Sequence, residues 1–159
     1  MGFVYSQSLC TVGLLFGCQE NVPCKVTIKS HHGKYVSAEP TGEVNANQIK
    51  KEYWTVTFIK SDVVSFKSRF NKYLVAESNG HVNANRNVAG AWEEFTVVDK
   101  GNGFFNFRSH HGKYLDANRY NENLNADHDY ARTWETFKVE KLGENTLIHS
   151  KSIQRKLLY

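Results

Sequence analysis

The stretch SHHGKY occupies Ser30 to Tyr35 and returns unchanged at Ser109 to Tyr114. An edited copy, SRFNKY, lies between them at Ser68 to Tyr73. Reading outward, the surrounding segments repeat as well: VTIKSHHGKYVSAEPTGEVNAN from Val26, VSFKSRFNKYLVAESNGHVNAN from Val64 and FNFRSHHGKYLDANRYNENLNAD from Phe105. Ser30, Ser68 and Ser109 match, as do Tyr35, Tyr73 and Tyr114, then Ala38, Ala76 and Ala117, then Asn45, Asn83 and Asn125, with serine-to-serine offsets of 38 and 41 residues. Such spacing marks one supersecondary unit built three times.

Each copy reads as strands. In VTIKS, VSFKS and FNFRS apolar residues alternate with polar ones, the period that buries one face of a strand and wets the other. Gly33, Asn71 and Gly112 stand where the chain must reverse, and Gly and Asn accept positive φ at least cost. A second strand follows (KYVSAE, KYLVAE, KYLDAN), then a third (VNAN, LNAD) and a fourth (WTVTFIK, WEEFTVV, WETFKVE). The expected fold is all-β: three four-stranded units around a pseudo-threefold axis, six strands forming a short barrel and three hairpins capping one end. That is a β-trefoil. One unit cannot bury its aromatic face alone, whereas three share a core and closure removes free edges. Trp54, Trp92 and Trp134 are expected inside, with Ala38, Ala76 and Ala117 leaving room for large rings.

The pattern Ser-x-x-Gly-Lys-Tyr-Val/Leu-x-Ala-Glu, then Val-Asn-Ala, then Trp-Glu-x-Phe resembles the repeat of the fascin-like β-trefoils over residues 26 to 141. The resemblance implies a non-enzymatic module that binds actin filaments in the cytoplasm. It also implies that Lys50 and Lys51, in the basic run before Trp54-Thr55, belong to the contact, with cross-linking requiring a second face or self-association. The histidine-rich members of the group imply a pH-sensitive role for His31, His32, His110 and His111, whose pairs should fall on different lobes and share no metal. Against this, all four histidines read more simply as polar turn residues, since seven histidines in all fall well short of a histidine-rich chain.

The residues support the same picture independently. A filament contact needs exposed cations on rigid turns, and Lys29, Lys50, Lys51, Arg69 and Arg108 are the candidates. Lys34, Lys72 and Lys113 recur in every copy and read as structural, their stems packed along a strand. Asn45, Asn83 and Asn125 read as turn anchors. No nucleophile–base arrangement, metal-ligand spacing or phosphate loop occurs, so no catalytic residue, metal or cofactor is expected.

With 159 residues, 40% hydrophobic and 13% aromatic, the chain has the size and composition of one globular domain. Its net charge of +4, from 20 basic and 16 acidic side chains, suits an acidic partner but is too mild for a dedicated nucleic-acid binder. Residues 1–25 hold all three cysteines, Cys10, Cys18 and Cys24, and read as an extension. The rest lacks cysteine and Asn-x-Ser/Thr sites, which leans toward a reducing compartment. Two features pull toward a membrane or secretion: the apolar run Leu9 to Cys18, and Met1-Gly2-x-x-x-Ser6, an acylation pattern weakened by Phe3. Residues 142–159 form a basic tail with Lys151, Arg155 and Lys156 among Ile153, Leu157, Leu158 and Tyr159. The alternative readings are a secreted carbohydrate-binding trefoil and, more weakly, a module for anionic membranes or RNA.

Overall fold

The structure, a computed structural model, describes residues 15–143. The expectations placed on Gly2, Cys10 and the basic tail lie outside them. Twelve strands follow in order: β1 Cys24–Lys29, β2 Tyr35–Ala38, β3 Val44–Gln48, β4 Tyr53–Phe58, β5 Val63–Lys67, β6 Tyr73–Ala76, β7 Val82–Arg86, β8 Phe95–Gly101, β9 Phe104–Arg108, β10 Tyr114–Ala117, β11 Leu124–His128 and β12 Phe137–Lys141. Three single-turn 3-10 segments complete the set, at Leu15–Gly17, Ala91–Glu93 and Thr133–Glu135.

Six strands close a barrel by antiparallel pairing, β1 with β4, β4 with β5, β5 with β8, β8 with β9, β9 with β12 and β12 back to β1. The hairpins β2–β3, β6–β7 and β10–β11 stand off it. Their third strands meet in a cycle of backbone hydrogen bonds: Ala84 N–H donates to Gly42 (2.8 Å), Ala126 to Gly80 (2.8 Å) and Ala46 to Glu122 (2.7 Å). Gly42 and Gly80 have φ of 97° and 91°. A Cβ on Gly80 would come within 2.8 Å of the Asp127 Cβ. The third turn is one residue longer, and Glu122 takes the positive φ (62°) there.

The core repeats in levels. Ile28, Phe66 and Phe107 form one, and Val36, Leu74 and Leu115 another, all buried. The third corrects the sequence alignment. Strand pairing sets Val26 opposite Trp54, Val64 opposite Phe95 and Phe105 opposite Phe137, so Phe95 and Phe137 are the counterparts of Trp54. Trp54 is 2% exposed and donates from its indole to the Val36 carbonyl at 2.9 Å. Trp92, by contrast, is 38% exposed, and Trp134 is half-buried. Both ride on 3-10 turns that the first copy lacks, which carries them out of the barrel.

Residues 15–25, which match nothing in the repeats, join the same core. Phe16 packs against Phe58 and Phe105, with centroids 5.1 and 4.7 Å apart, and so fills the barrel end away from the hairpins. Contrary to the expectation of reduced thiols, Cys18 and Cys24 are joined by a disulfide at this entrance. By the loop-closure relation a bridge this short contributes roughly 2 kcal/mol.

Two stability measurements check this arrangement. In urea unfolding, Trp54→Ala should cost about 3–5 kcal/mol and Trp92→Ala less than half as much; equal costs would return Trp92 to the core. Replacing both Cys18 and Cys24 with Ala should remove roughly 2 kcal/mol, and a wild-type midpoint would leave the clip without a stabilising role.

Candidate functional site

The SHHGKY turn is braced from within. The Ser30 hydroxyl accepts the His32 amide, Ser68 that of Phe70 and Ser109 that of His111, each at 3.2 Å. These hydroxyls are buried, so the amides are satisfied away from water. On either side, cations lie over rings: Lys29 over Tyr35 and Lys67 over Tyr73, both at 5.4 Å, and Arg108 over Tyr114 at 5.9 Å. One such pair per copy is a threefold packing device. Lys34, Lys72 and Lys113 likewise find partners, in Glu122 (2.6 Å), Asn87 and Asp129.

The remaining candidate cations lie differently. Lys50 and Lys51 are exposed on the link from β3 to β4 and have no ion-pair partner among the described residues; Ile49 beside them is 85% exposed. Arg69 reaches across from the second copy, its Nε 3.8 Å from Glu52 and its guanidinium 4.8 Å above Phe70. Lys50, Lys51 and Arg69 thus gather at the seam between the first two copies, whereas Lys29 and Arg108 each stack on a tyrosine of their own copy.

The histidines mark the other two seams. His31 and His110 face solvent. His32 donates from Nε2 to the Ala117 carbonyl at 3.1 Å and stands edge-on to Trp134 at 5.5 Å. His111 stands edge-on to Trp92 at 4.6 Å. Phe70, the middle copy's residue at this position, packs against the core.

The third copy holds a further cluster, of residues that the sequence does not single out. Asp116 on β10, His128 on β11 and Glu135 in the third 3-10 turn converge, with Nδ1 of His128 2.6 Å from Glu135 Oε2 and 3.9 Å from Asp116 Oδ1. Asp116 and Glu135 are each 2% exposed. Glu135 Oε1 accepts the Arg132 amide at 2.6 Å and so caps its turn, as Glu93 does for Gly90 at 2.6 Å. Asp116 Oδ1 has no partner. The register shift between Tyr114 and Leu115 inserts Asp127 into β11 as a bulge, and it lies beside His128, with Oδ1 3.6 Å from Nε2. His128 and Glu135 open onto a cleft of about 470 Å³, also lined by Tyr130, Arg132 and Trp134. Burial pushes the Asp116 carboxyl up from its usual 3.8 to about 7, and the hydrogen bond to Glu135 holds the His128 imidazole above its usual 6.5.

Comparison with known proteins gives the family. A model described as the fascin domain matches residues 31–139. The chain belongs to the fascin-domain family. No curated protein matches the sequence. Among solved structures, the designed threefold symmetric protein ThreeFoil is similar to this fascin domain with TM-score 0.65 and 19% identity, over 74% of this chain and 99% of its own. A salivary protein from Culex quiquefasciatus, of the Cysteine and Tryptophan-Rich (CWRC) family, has TM-score 0.63 and 16% identity, over 77% and 96%. At these identities the likeness establishes the fold, an all-β trefoil barrel.

Within this fascin domain the third-copy cluster answers to residues that strand pairing aligns: Ser37, Gln48 and Glu52 in the first copy, and Val75, Arg86 and Glu93 in the second. Arg86 offsets Glu77 at 2.7 Å and Glu93 at 4.0 Å. In the third copy an imidazole stands in the guanidinium's place beside the buried acids. The signal was present in the sequence as Asp116 in place of Val75, a charged residue at a buried strand position on the face opposite the core-lining Leu74 and Leu115.

The pH dependence of stability follows. A folded Asp116 that titrates near 7 binds its proton more tightly than the unfolded chain does, so this group destabilises the fold as pH rises from about 4 to about 7. The raised His128 stabilises below its usual 6.5 and loses that contribution as pH climbs through the folded value. In chelator-treated buffer, urea stability should therefore fall from about pH 5 to about pH 8, and Asp116→Val should flatten the fall. Identical slopes would exclude a buried, proton-retaining Asp116.

Proposed function

We propose that this protein is a non-enzymatic actin-filament-binding module of the cytoplasm, a trefoil of three four-stranded units whose filament contact is the seam carrying Lys50, Lys51 and Arg69. Two things support the reading: the association of the fascin-domain family with actin, and the exposure of Lys50 and Lys51 beside Ile49 with no ion-pair partner among the described residues, when the cations that recur in every copy are occupied within the fold. Filaments are acidic, and unpaired ammonium groups on a rigid link attract them over about a Debye length, some 8 Å at physiological salt. One such seam per chain makes simple binding the minimal activity, with cross-linking dependent on a second face or on self-association.

Co-sedimentation tests it. The protein should pellet with F-actin at low salt and less as salt rises. Lys50→Glu with Lys51→Glu should weaken binding roughly thirtyfold if each reversal removes about 1 kcal/mol. Unchanged pelleting of the double variant would move the contact off this seam, and no pelleting at low salt would remove actin.

A second reading, a secreted carbohydrate-binding trefoil, draws on two observations. The Cys18–Cys24 disulfide suits an oxidising compartment, and the third-copy cleft sets the Tyr130 and Trp134 rings beside Asp127, Asp129 and Arg132, a combination of stacking faces and polar groups that suits a sugar. The salivary protein of similar fold fits this reading too. Glycan-array binding lost in Trp134→Ala would favour it over actin.

A further inference from the structure

Three copies of one scaffold place the same three positions side by side, and among them the third copy alone fills all three with an imidazole and two carboxylates. We propose that Asp116 Oδ1, His128 Nδ1 and Glu135 Oε2 form a site for one divalent transition-metal cation of the zinc class, open on its fourth side to the cleft. The donor atoms all lie within 4.8 Å of one another. Zinc holds nitrogen and carboxylate oxygen at about 2.0–2.2 Å, which in a tetrahedral arrangement sets neighbouring donors about 3.4 Å apart. The observed 2.6 and 3.9 Å separations from Nδ1 bracket that value, and shifts of under about 1 Å bring the set to it.

Two observations beyond the clustering of acids point to a cation. Asp116 is 98% removed from solvent, yet its Oδ1 has no hydrogen-bond partner and faces the Nδ1 edge of His128; a buried, unpartnered carboxylate oxygen is costly unless something positive meets it. The surrounding contacts also match the shell that metal-bound groups carry. Imidazoles that ligate through one nitrogen commonly direct the other at a carboxylate, and Asp127 Oδ1, 3.6 Å from Nε2, stands a few tenths of an ångström beyond hydrogen-bond reach of it. Glu135 keeps Oε1 engaged with the Arg132 amide, leaving Oε2 oriented toward the site.

The middle copy explains why the cation belongs to the third copy alone. There Val75 removes one acid and Arg86 supplies a permanent positive charge between Glu77 and Glu93. In the third copy Asp116 adds an acid and His128 replaces the guanidinium. A mixed imidazole and carboxylate set suits zinc and its borderline neighbours better than magnesium or calcium, which favour oxygen alone. Solvent or a ligand in the cleft would supply the fourth donor.

The test uses the full chain after treatment with EDTA. Titration calorimetry with ZnCl2 should show one site, and CoCl2 should give a visible absorption band with the same endpoint, which zinc then displaces. Asp116→Val with His128→Arg imports the middle copy's side chains; it should fold, as judged by circular dichroism, and lose both signals. Asp116→Asn, which keeps the size of the side chain, should weaken binding at least tenfold, and Asp127→Asn should weaken it about 10- to 100-fold. Absence of both signals in the wild type, or their survival unchanged in either Asp116 variant, overturns the proposal. None of these readouts involves actin, so failure here leaves the filament reading standing, and the reverse.

Discussion

The pairing of β1 with β12 joins the two ends of the described chain, with Thr27 opposite Glu140 and Ile28 opposite Val139. Everything else depends on that closure. A six-stranded sheet left open would show two hydrogen-bonding edges and one face of Ile28, Phe66 and Phe107 to water. Closing it costs the loop entropy of more than a hundred residues, but that cost grows only with the logarithm of length. Burial of rings from all three copies against one another offsets it. Phe16 then fills the end that the hairpins leave uncovered, which is why a segment outside the repeats is part of the fold.

Symmetry separates structure from chemistry in this molecule. Features present in all three copies serve the scaffold: the serine hydroxyl under the turn, the cation over the tyrosine, the small buried alanine three residues after it. Features present once are where ligands are to be sought. Lys50 and Lys51 stand on a link that lacks the 3-10 turn found in the other two copies. Asp116 and His128 occupy positions that elsewhere hold Ser37 and Gln48, or Val75 and Arg86. The shared framework holds these side chains in place, and single substitutions change what they can bind.

The turn glycines, Asn71, the alternating strands and the family itself could be read directly from the sequence, because each depends on local spacing that the repeats state three times. The tryptophans could not. Aligning Trp54 with Trp92 and Trp134 is natural by eye, yet the two 3-10 turns shift those tryptophans three residues ahead of the core position, which Phe95 and Phe137 occupy. Only strand register reveals this. The Asp116–His128–Glu135 cluster was hidden for a related reason: its members come from three separate elements, and strand register, with the one-residue bulge that all three copies share, is what brings them together. The disulfide was likewise invisible, since Cys24 lies outside the repeated pattern yet is the first residue of a barrel strand.

The cycle of backbone bonds from Ala84 to Gly42, Ala126 to Gly80 and Ala46 to Glu122 has a further implication for how such a protein evolves. In an open array of repeats, an end unit can be lost at the expense of one interface, and copy number drifts freely. In a ring every unit has two neighbours, so deleting one strands a donor on one side and an acceptor on the other. Copy number is therefore locked at three by geometry. Divergence can proceed only by changing side chains within copies, as SRFNKY in the middle copy and Asp116 with His128 in the third illustrate.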